Sequence, residues 1–186
     1  KKKNDLNQIN NYFELKLATV LRDKEEKFIP NKSSIHRKNS NLFGSISTNF
    51  TEYMKFDYNF AIDNDLKTLE RNSIKTSLAI NKFTTTFNFL EESGEMGDIN
   101  TINNTTRYQV DDNNYLTFNT RRNRKINLTE FYDLVYEYKN DCLTAAVKYN
   151  KTYYQDRDIM PTENLFFTIT LFPLTTIEQK IDKWNL

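Results

Sequence analysis

Cysteine, histidine, glycine and proline are scarce in this chain of 186 residues, which contains 1 Cys, 1 His, 3 Gly and 3 Pro. One cysteine cannot form an internal disulfide, and one histidine excludes most metal sites built on several His ligands. No glycine-rich loop is present to cradle a phosphate. We therefore expect neither a metal nor a cofactor. Helical membrane spans are also excluded, because no apolar run exceeds three residues and a spanning helix needs about 18 or more.

Charge of one sign is not in excess either, since 26 Lys and Arg oppose 25 Asp and Glu. This balance gives no reason to expect a nucleic-acid partner. An enzyme is not expected, because the only candidate base, His36, has no supporting carboxylate spacing around it. The chain begins at Lys1 without an initiator Met, so we expect it to be a piece of a longer protein.

Aromatic residues are abundant, with 14 Phe and 11 Tyr, and apolar positions recur with a period of two. In 54–62, for example, Phe56, Tyr58, Phe60 and Ile62 alternate with mostly polar residues. This alternation is typical of strands with one apolar and one polar face. It predicts ten strands, at 12–21, 41–50, 54–62, 68–80, 83–91, 101–110, 115–122, 128–138, 143–153 and 165–171.

The connections between these segments alternate between short and long. An antiparallel meander with tight turns at one end and long loops at the other is typical of outer-membrane barrels. Alternation alone cannot separate a membrane barrel from a soluble sandwich. Polar side chains in nearly every strand and aromatics near strand ends favour the barrel. We thus predict an all-β, antiparallel transmembrane β-barrel segment over 1–186, with strands at about 12–171 and a periplasmic tail at 172–186. Ile177, Ile181 and Trp184 in that tail fit one face of a short helix.

The stretch Leu128 to Leu171, LTEFYDLVYEYKNDCLTAAVKYNKTYYQDRDIMPTENLFFTITL, resembles the C-terminal end of the LptD (OstA) family of lipopolysaccharide-assembly outer-membrane proteins. The resemblance is looser upstream of residue 128. It implies about ten C-terminal strands of a larger barrel in the Gram-negative outer membrane, which inserts lipopolysaccharide into the outer leaflet. Implied partners are lipopolysaccharide, outer-membrane lipid, an LptE-like lipoprotein plug and the periplasmic components of the lipopolysaccharide bridge. A complete small outer-membrane barrel (porin or rim-active enzyme) and a soluble adhesin-like β-module remain alternatives.

Cys142 follows the short connection 139–141 and is in phase with the polar residues Thr144, Lys148 and Asn150. A lone cysteine is ordinarily a small hydrophobic residue, but this phase argues against core or lipid packing. The resemblance implies a disulfide between Cys142 and a periplasmic segment outside this chain. An unpaired cysteine in an exported protein agrees with such a partner.

Two charged groups are candidate contacts for the lipopolysaccharide headgroup. One is the basic run at an inferred outer strand end, and the other is a loop cluster of both signs. Guanidinium groups bind phosphates well, whereas loop charges are ordinarily just solvated, so both interpretations stay open. The residues are Arg121, Arg122, Arg124 and Lys125 in the run, and Asp156, Arg157 and Asp158 in the cluster.

Overall fold

The computed structural model of the chain describes residues 2–3, 9–30, 34–156, 158–172 and 175–181. Every regular element in these residues is a β-strand. No helix among them is long and apolar enough to cross a membrane. The strands are β1 (Lys2–Lys3), β2 (Ile9–Asn11), β3 (Phe13–Ala18), β4 (Leu42–Thr51), β5 (Met54–Ile62), β6 (Leu69–Ile80), β7 (Phe83–Glu92), β8 (Ile99–Gln109), β9 (Asn114–Asn123), β10 (Leu128–Lys139), β11 (Leu143–Thr152), β12 (Thr162–Leu171) and β13 (Thr175–Ile181).

Strands β3 to β13 form one sheet in which hydrogen-bonded neighbours are also neighbours in sequence, and β1 and β2 form a separate pair. The prediction of an all-β antiparallel meander is confirmed, and each of the ten predicted segments overlaps one strand, from β3 to β12. The order runs from β13 to β3, and it contains no pairing of these two end strands in the described residues. Over the described residues, the strand order therefore shows one antiparallel sheet that is not closed into a barrel, and the prediction that it is a segment of a larger transmembrane barrel stays a prediction.

The tail differs from the expectation. Residues Thr175–Ile181 form strand β13, which pairs antiparallel with β12 from Leu171↔Thr175 to Leu165↔Ile181. The helix that we considered for Ile177 and Ile181 is wrong. The reason is tertiary, because the outer edge of β12 offers unpaired backbone groups that a strand satisfies and a helix does not. Trp184 lies outside the described residues.

The chain divides into two compact units, and the division crosses β6, β7 and β8. The first unit comprises Lys1–Leu78 and Phe87–Ile102, and the second comprises Ala79–Thr86 and Asn103–Leu186. In the first unit the connections at the two ends of the strands differ in length. The short turn 52–53 joins β4 to β5 at one end, whereas the connections at the other end are the longer loops 19–41, 63–68 and 93–98.

The register places residues of like polarity in rows across the strands of the first unit. One row consists of directly opposed apolar residues on β3 to β6: Leu15, Ile46, Tyr58 and Ile74. The adjacent row, on the opposite face, is polar: Glu14, Ser47, Asp57 and Lys75. Because directly opposed residues share a face, the alternation in each strand adds up to one apolar and one polar face.

The second unit has the same two faces. Leu134, Val147 and Phe167 share one face, since Val147 opposes Phe167 and Leu134 opposes Tyr149. The opposite face carries a row of polar residues on β9 to β12: Asn119, Asp133, Asn150 and Asn164. The predicted division of these strands into two faces by phase is therefore confirmed within this unit.

A glutamate occupies a β-bulge near the start of two strands. Glu70 is skipped between Leu69↔Ile62 and Arg71↔Ala61, and Glu130 is skipped between Thr129↔Arg122 and Phe131↔Arg121. Each glutamate carbonyl accepts a backbone N–H from the residue that follows the next strand, Ser93 at 2.8 Å for Glu70 and Tyr153 at 2.8 Å for Glu130. Both glutamates stand in the apolar phase of their strands, and a bulge redirects such a side chain.

Candidate functional site

Apolar side chains are exposed on the sheet rather than packed into a core. Among the described residues, Ala61 is the only fully buried apolar side chain. Leu134, Val147 and Phe167 are 43%, 37% and 39% exposed, and Leu15 is 53% exposed. Apart from Gly44, the other buried residues are polar: Ser34, Ser40, Asn41, Glu70, Thr85, Thr101 and Asp133. This distribution is the reverse of that in a water-soluble globular domain.

The polar face of the first unit forms a groove of about 340 Å³. Its charges are mixed, since Lys16 Nζ lies 3.1 Å from Glu14 Oε2 and Lys55 Nζ, beside the groove, lies 3.3 Å from Asp57 Oδ2. Asp57 also accepts a hydrogen bond from the Ser47 hydroxyl. Such a lining suits water and hydrated polar groups more than a ligand of one charge sign. The lining residues are Glu14, Lys16, Ser45, Ile46, Ser47, Asp57, Asn59, Ser73, Lys75 and Asn88.

The polar face of the second unit is connected by side-chain hydrogen bonds around Asp133. Its Oδ1 accepts a hydrogen bond of 2.5 Å from Asn150 Nδ2, and its Oδ2 lies 3.0 Å from Lys148 Nζ. Asn150 Oδ1 accepts a further hydrogen bond of 3.4 Å from Asn164 Nδ2. The Lys148 ammonium also lies 5.9 Å from the centroid of the Phe166 ring. The charged groups of this face therefore have partners within the protein.

Cys142 lies in the short connection between β10 and β11 and is exposed, with a free thiol in the described chain. Its N–H donates to Asn140 Oδ1 at 3.0 Å, and its carbonyl accepts from the N–H of Phe172 at 2.9 Å. These backbone hydrogen bonds fix the position of Cys142 at the ends of strands β10 and β11 and leave its sulfur accessible. The predicted partner of the thiol lies outside this chain, so the disulfide stays a prediction.

Strong contacts within the protein hold two members of the predicted basic run. Arg121 Nε lies 2.7 Å from Glu130 Oε2, and Arg122 donates to the side-chain oxygen of Asn127. Arg124 and Lys125 also have interaction partners. The bulge residue Glu130, which contacts Arg121, was missing from the sequence-based set. Headgroup binding by the basic run stays a prediction.

The predicted loop cluster is organised by Asp156. Its Oδ1 accepts the N–H of Asp158 at 3.0 Å, and its carbonyl accepts the N–H of Ile159 at 3.2 Å. These bonds are typical of a carboxylate that stabilises its own turn. Arg157 lies outside the described residues. Headgroup binding by Asp156, Arg157 and Asp158 stays a prediction.

A second polar cluster, which the sequence analysis missed, lies at the long-loop end of the first unit. Arg37 in loop 19–41 contacts Asp63 and Glu95, which belong to loops 63–68 and 93–98. The Nη1–Oδ1 distance to Asp63 is 3.3 Å. Burial lowers the pKa of Arg37, but the hydrogen bond from Arg37 to Glu95 and the charges of Glu95 and Asp63 outweigh it. The pKa of Arg37 is therefore raised, and its guanidinium is charged at every accessible pH.

The same unit contains a buried pair formed by the side-chain amide of Asn41 and the carboxylate of Glu70. Asn41 Nδ2 donates to Glu70 Oε2 at 2.5 Å, and the Asn41 N–H donates to Ser34 Oγ at 3.1 Å. Asn41 and Ser34 are fully buried, and Glu70 is 8% exposed. A signal for Glu70 was present in the sequence, since it is a charged residue in the apolar phase of its strand. Nothing in the sequence marked Arg37.

Comparison with known proteins adds no assignment. No family model, no curated protein and no solved structure matches this chain. In the described residues, no group of three or more His, Cys, Asp and Glu is placed to hold a metal ion. What the arrangement itself offers is an exposed apolar face, a hydrated polar face and clustered loop contacts at one end of the strands.

Proposed function

We propose that this chain is a wall segment of a β-barrel in the Gram-negative outer membrane, with its apolar face toward lipid. The observation that carries the proposal is the exposure of apolar side chains on the sheet, among them Leu15 in the first unit and Leu134, Val147 and Phe167 in the second, while Ala61 is the only fully buried one in the described residues. Hydrocarbon can cover such a face, whereas a monomer in water rarely exposes apolar patches of more than a few hundred Å². An open strand order fits a part of a wall, which must pair at both edges with further strands.

The same observation weighs against a soluble adhesin-like β-module. A soluble sandwich buries its apolar face under a second sheet. The described strands of each unit follow one antiparallel meander, and β1 and β2 are the only described strands outside the large sheet. Lipid is the partner that this face needs, and the polar face with Asp133 and Lys148 belongs on the water-filled side.

We further propose that the wall belongs to the lipopolysaccharide transport and assembly machinery and has no catalytic role. The support is the resemblance of Leu128 to Leu171 to the LptD (OstA) family. In this proposal the polar face accommodates the hydrated headgroup, while the apolar face supports the lipid-embedded barrel. An LptE-like plug and the periplasmic bridge components are the partners that this function requires, and Cys142 is the link to a periplasmic segment.

Adjacent residues on opposite faces allow a direct test. Phe166 opposes Lys148 on the polar face, and Phe167 opposes Val147 on the apolar face. A photo-reactive phenylalanine analogue at Phe166, in the full-length protein in its own cell envelope, should crosslink to lipopolysaccharide. The same analogue at Phe167 should crosslink to membrane lipid, including the acyl chains of the bilayer.

The two positions separate the two levels of the proposal. If Phe167 crosslinks to lipid and Phe166 does not crosslink to lipopolysaccharide, the proposal of a membrane wall stands and the proposed transport role is rejected. Crosslinks to protein alone at Phe167, with none to lipid, would contradict the membrane wall itself.

A further inference from the structure

Three of the most deeply buried side chains of the first unit belong to one loop. We call residues Ser34–Asn41 the strap. Ser34, Ser40 and Asn41 in the strap are 0%, 3% and 0% exposed. Ala61, the one fully buried apolar residue described, lies at the same end of β5, in register with Phe43 and Arg71. The strap therefore closes over the long-loop end of β4 to β6.

Hydrogen bonds hold the base of the strap. Asn41 binds Ser34 Oγ through its N–H and Glu70 Oε2 through its side-chain amide. The Oδ1 atom of Asn41 is buried without a hydrogen-bond partner. Glu70 stands in the β-bulge of β6, and its carboxylate is the group of the sheet that binds the base of the strap. Opening the strap breaks the hydrogen bond between Asn41 and Glu70, so this bond favours the closed strap.

Ionic contacts hold the middle of the strap. Arg37 reaches Asp63 of one loop and Glu95 of another, so one guanidinium joins three loops. The side chains of Arg37, Asp63 and Glu95 are 25%, 23% and 40% exposed. Partly exposed ion pairs weaken in salt, in contrast to apolar packing.

We propose that the strap is a separately opening gate, and that the contacts of Arg37 with Asp63 and Glu95 are its lock. Besides these contacts, backbone hydrogen bonds join the strap to residues 20–26, from Arg22 N–H to Lys38 O at 2.7 Å, from Glu26 N–H to His36 O at 2.9 Å and from Ser40 N–H to Val20 O at 2.9 Å. Water can replace hydrogen bonds of this kind and salt weakens the ion pairs. Opening the strap exposes Asn41 and Glu70 and uncovers the long-loop end of the sheet, while the β4–β5 ladder keeps its hydrogen bonds. This proposal depends on the fold and not on the transport function.

Residue-resolved amide hydrogen exchange on the full chain in detergent micelles tests the gate. The reporters, called the strap amides, are those of Arg22 and Ser40, whose bonds cross the boundary of the strap: Arg22 N–H donates to Lys38 O at 2.7 Å and Ser40 N–H donates to Val20 O at 2.9 Å. In Arg37→Gln both amides should exchange about tenfold faster, because local opening no longer breaks two ion pairs. Raising NaCl to about 1 M should speed exchange in the parent chain and have little effect in Arg37→Gln.

A matched control is available in a neighbouring loop. Lys67 pairs with Asp65 at 3.6 Å, and both side chains are well exposed. Lys67→Gln removes one positive charge at the same end and should leave the strap amides unchanged. Arg37→Lys should recover part of the protection, since an ammonium reaches one carboxylate and not two.

Two outcomes would overturn the gate. Equal exchange of the Arg22 and Ser40 amides in the parent and in Arg37→Gln would show that Arg37 locks nothing. An equal acceleration of the β4–β5 ladder amides would show that Arg37 stabilises the sheet as a whole, and the strap would then not be a separate unit.

Discussion

Asp133 of β10 and Lys148 of β11 form an ion pair of 3.0 Å on the polar face, one residue away in sequence from the exposed apolar residues Leu134 and Val147. The Asp133 carboxylate is thus buried, at 8% exposure, whereas the apolar residues Leu134 and Val147 on the other face are 43% and 37% exposed. The proposed membrane wall accounts for this arrangement, because hydrocarbon on one face and water on the other would reverse the usual inside and outside.

Asp133 should be the most sensitive polar position of the second unit. Asp133→Ala leaves Asn150 Nδ2 and Lys148 Nζ without their acceptor, and we expect a loss of about 1 to 3 kcal/mol in the free energy of unfolding. Urea denaturation of the lipid-inserted chain measures it. Glu137→Ala removes a more exposed carboxylate of the same strand, paired with Arg107, and should cost less. An equal loss in both variants would contradict the ranking.

Spin labels should report two environments in alternation along β11 and β12. In a Cys142→Ser chain in lipid bilayers, labels at Val147 or Phe167 should collide more with oxygen than with a water-soluble nickel chelate. Labels at Lys148 or Thr168 should show the opposite preference, because water is on that face. The same reasoning places Phe87 with the lipid-accessible set. Equal ratios at all positions would rule out the membrane orientation.

Val147→Arg should destabilise the inserted chain by about 2 to 4 kcal/mol if the residue lies near the bilayer midplane, because a charge then enters hydrocarbon. Ala146→Arg is the matched control. Ala146 opposes Glu137 and Thr168 on the polar face, where an arginine meets water and a carboxylate. Denaturation midpoints of the two variants in the same lipid decide the point, and a smaller loss for Val147→Arg than for Ala146→Arg would refute it.

Asp111 should stabilise the turn between β8 and β9 in a pH-dependent manner. Hydrogen bonds from the Asn113 N–H, and from the side chain and N–H of Asn114, lower the pKa of Asp111 below its ordinary 3.8. The stabilisation is therefore present above pH 3.8 and is lost as the pH falls through the lower pKa of the folded turn.

NMR titration of the Asn113 and Asn114 amides checks this prediction. Their shifts should titrate with a midpoint below 3.8, and Asp111→Ala should abolish the transition. Asp112→Ala is the control, since the contact described for Asp112 is made by its carbonyl, which accepts from Tyr115 Oη at 3.2 Å. A midpoint above the ordinary value would show that these bonds do not favour the charged form.

Cys142 should be oxidised in the full-length protein in its native envelope. The thiol is exposed at the end of a short connection, where a periplasmic segment can reach it. A disulfide between Cys142 and a distant periplasmic segment would close a long loop. Such a disulfide is expected to add a few kcal/mol to the free energy of unfolding, although strain often reduces this. Cys142→Ser should therefore lower the yield of functional protein more than Asp141→Ser, a change at the neighbouring exposed residue. Mass spectrometry of non-reduced protein that finds only free, alkylated Cys142 would return the residue to a structural role.

The alternation of residue types determined the strands and their faces by itself. Leu15, Ile46, Tyr58 and Ile74 were each placed in an apolar phase by their own segments, and the register brought them into one row. This works because successive side chains of a strand point to opposite faces, so that the local pattern already assigns each residue to a face.

Only the tertiary structure decided which loop residues meet and where the alternation is interrupted. Arg37, Asp63 and Glu95 come from three loops separated by strands, and no local pattern relates them. Glu70 and Glu130 break the apolar phase in sequence, but the bulges that turn them toward Asn41 and Arg121 depend on neighbouring strands. The same holds for β13, whose strand conformation follows from the unpaired edge of β12. Local pattern reports the period of the backbone, whereas contacts between distant segments depend on the register that the whole sheet adopts.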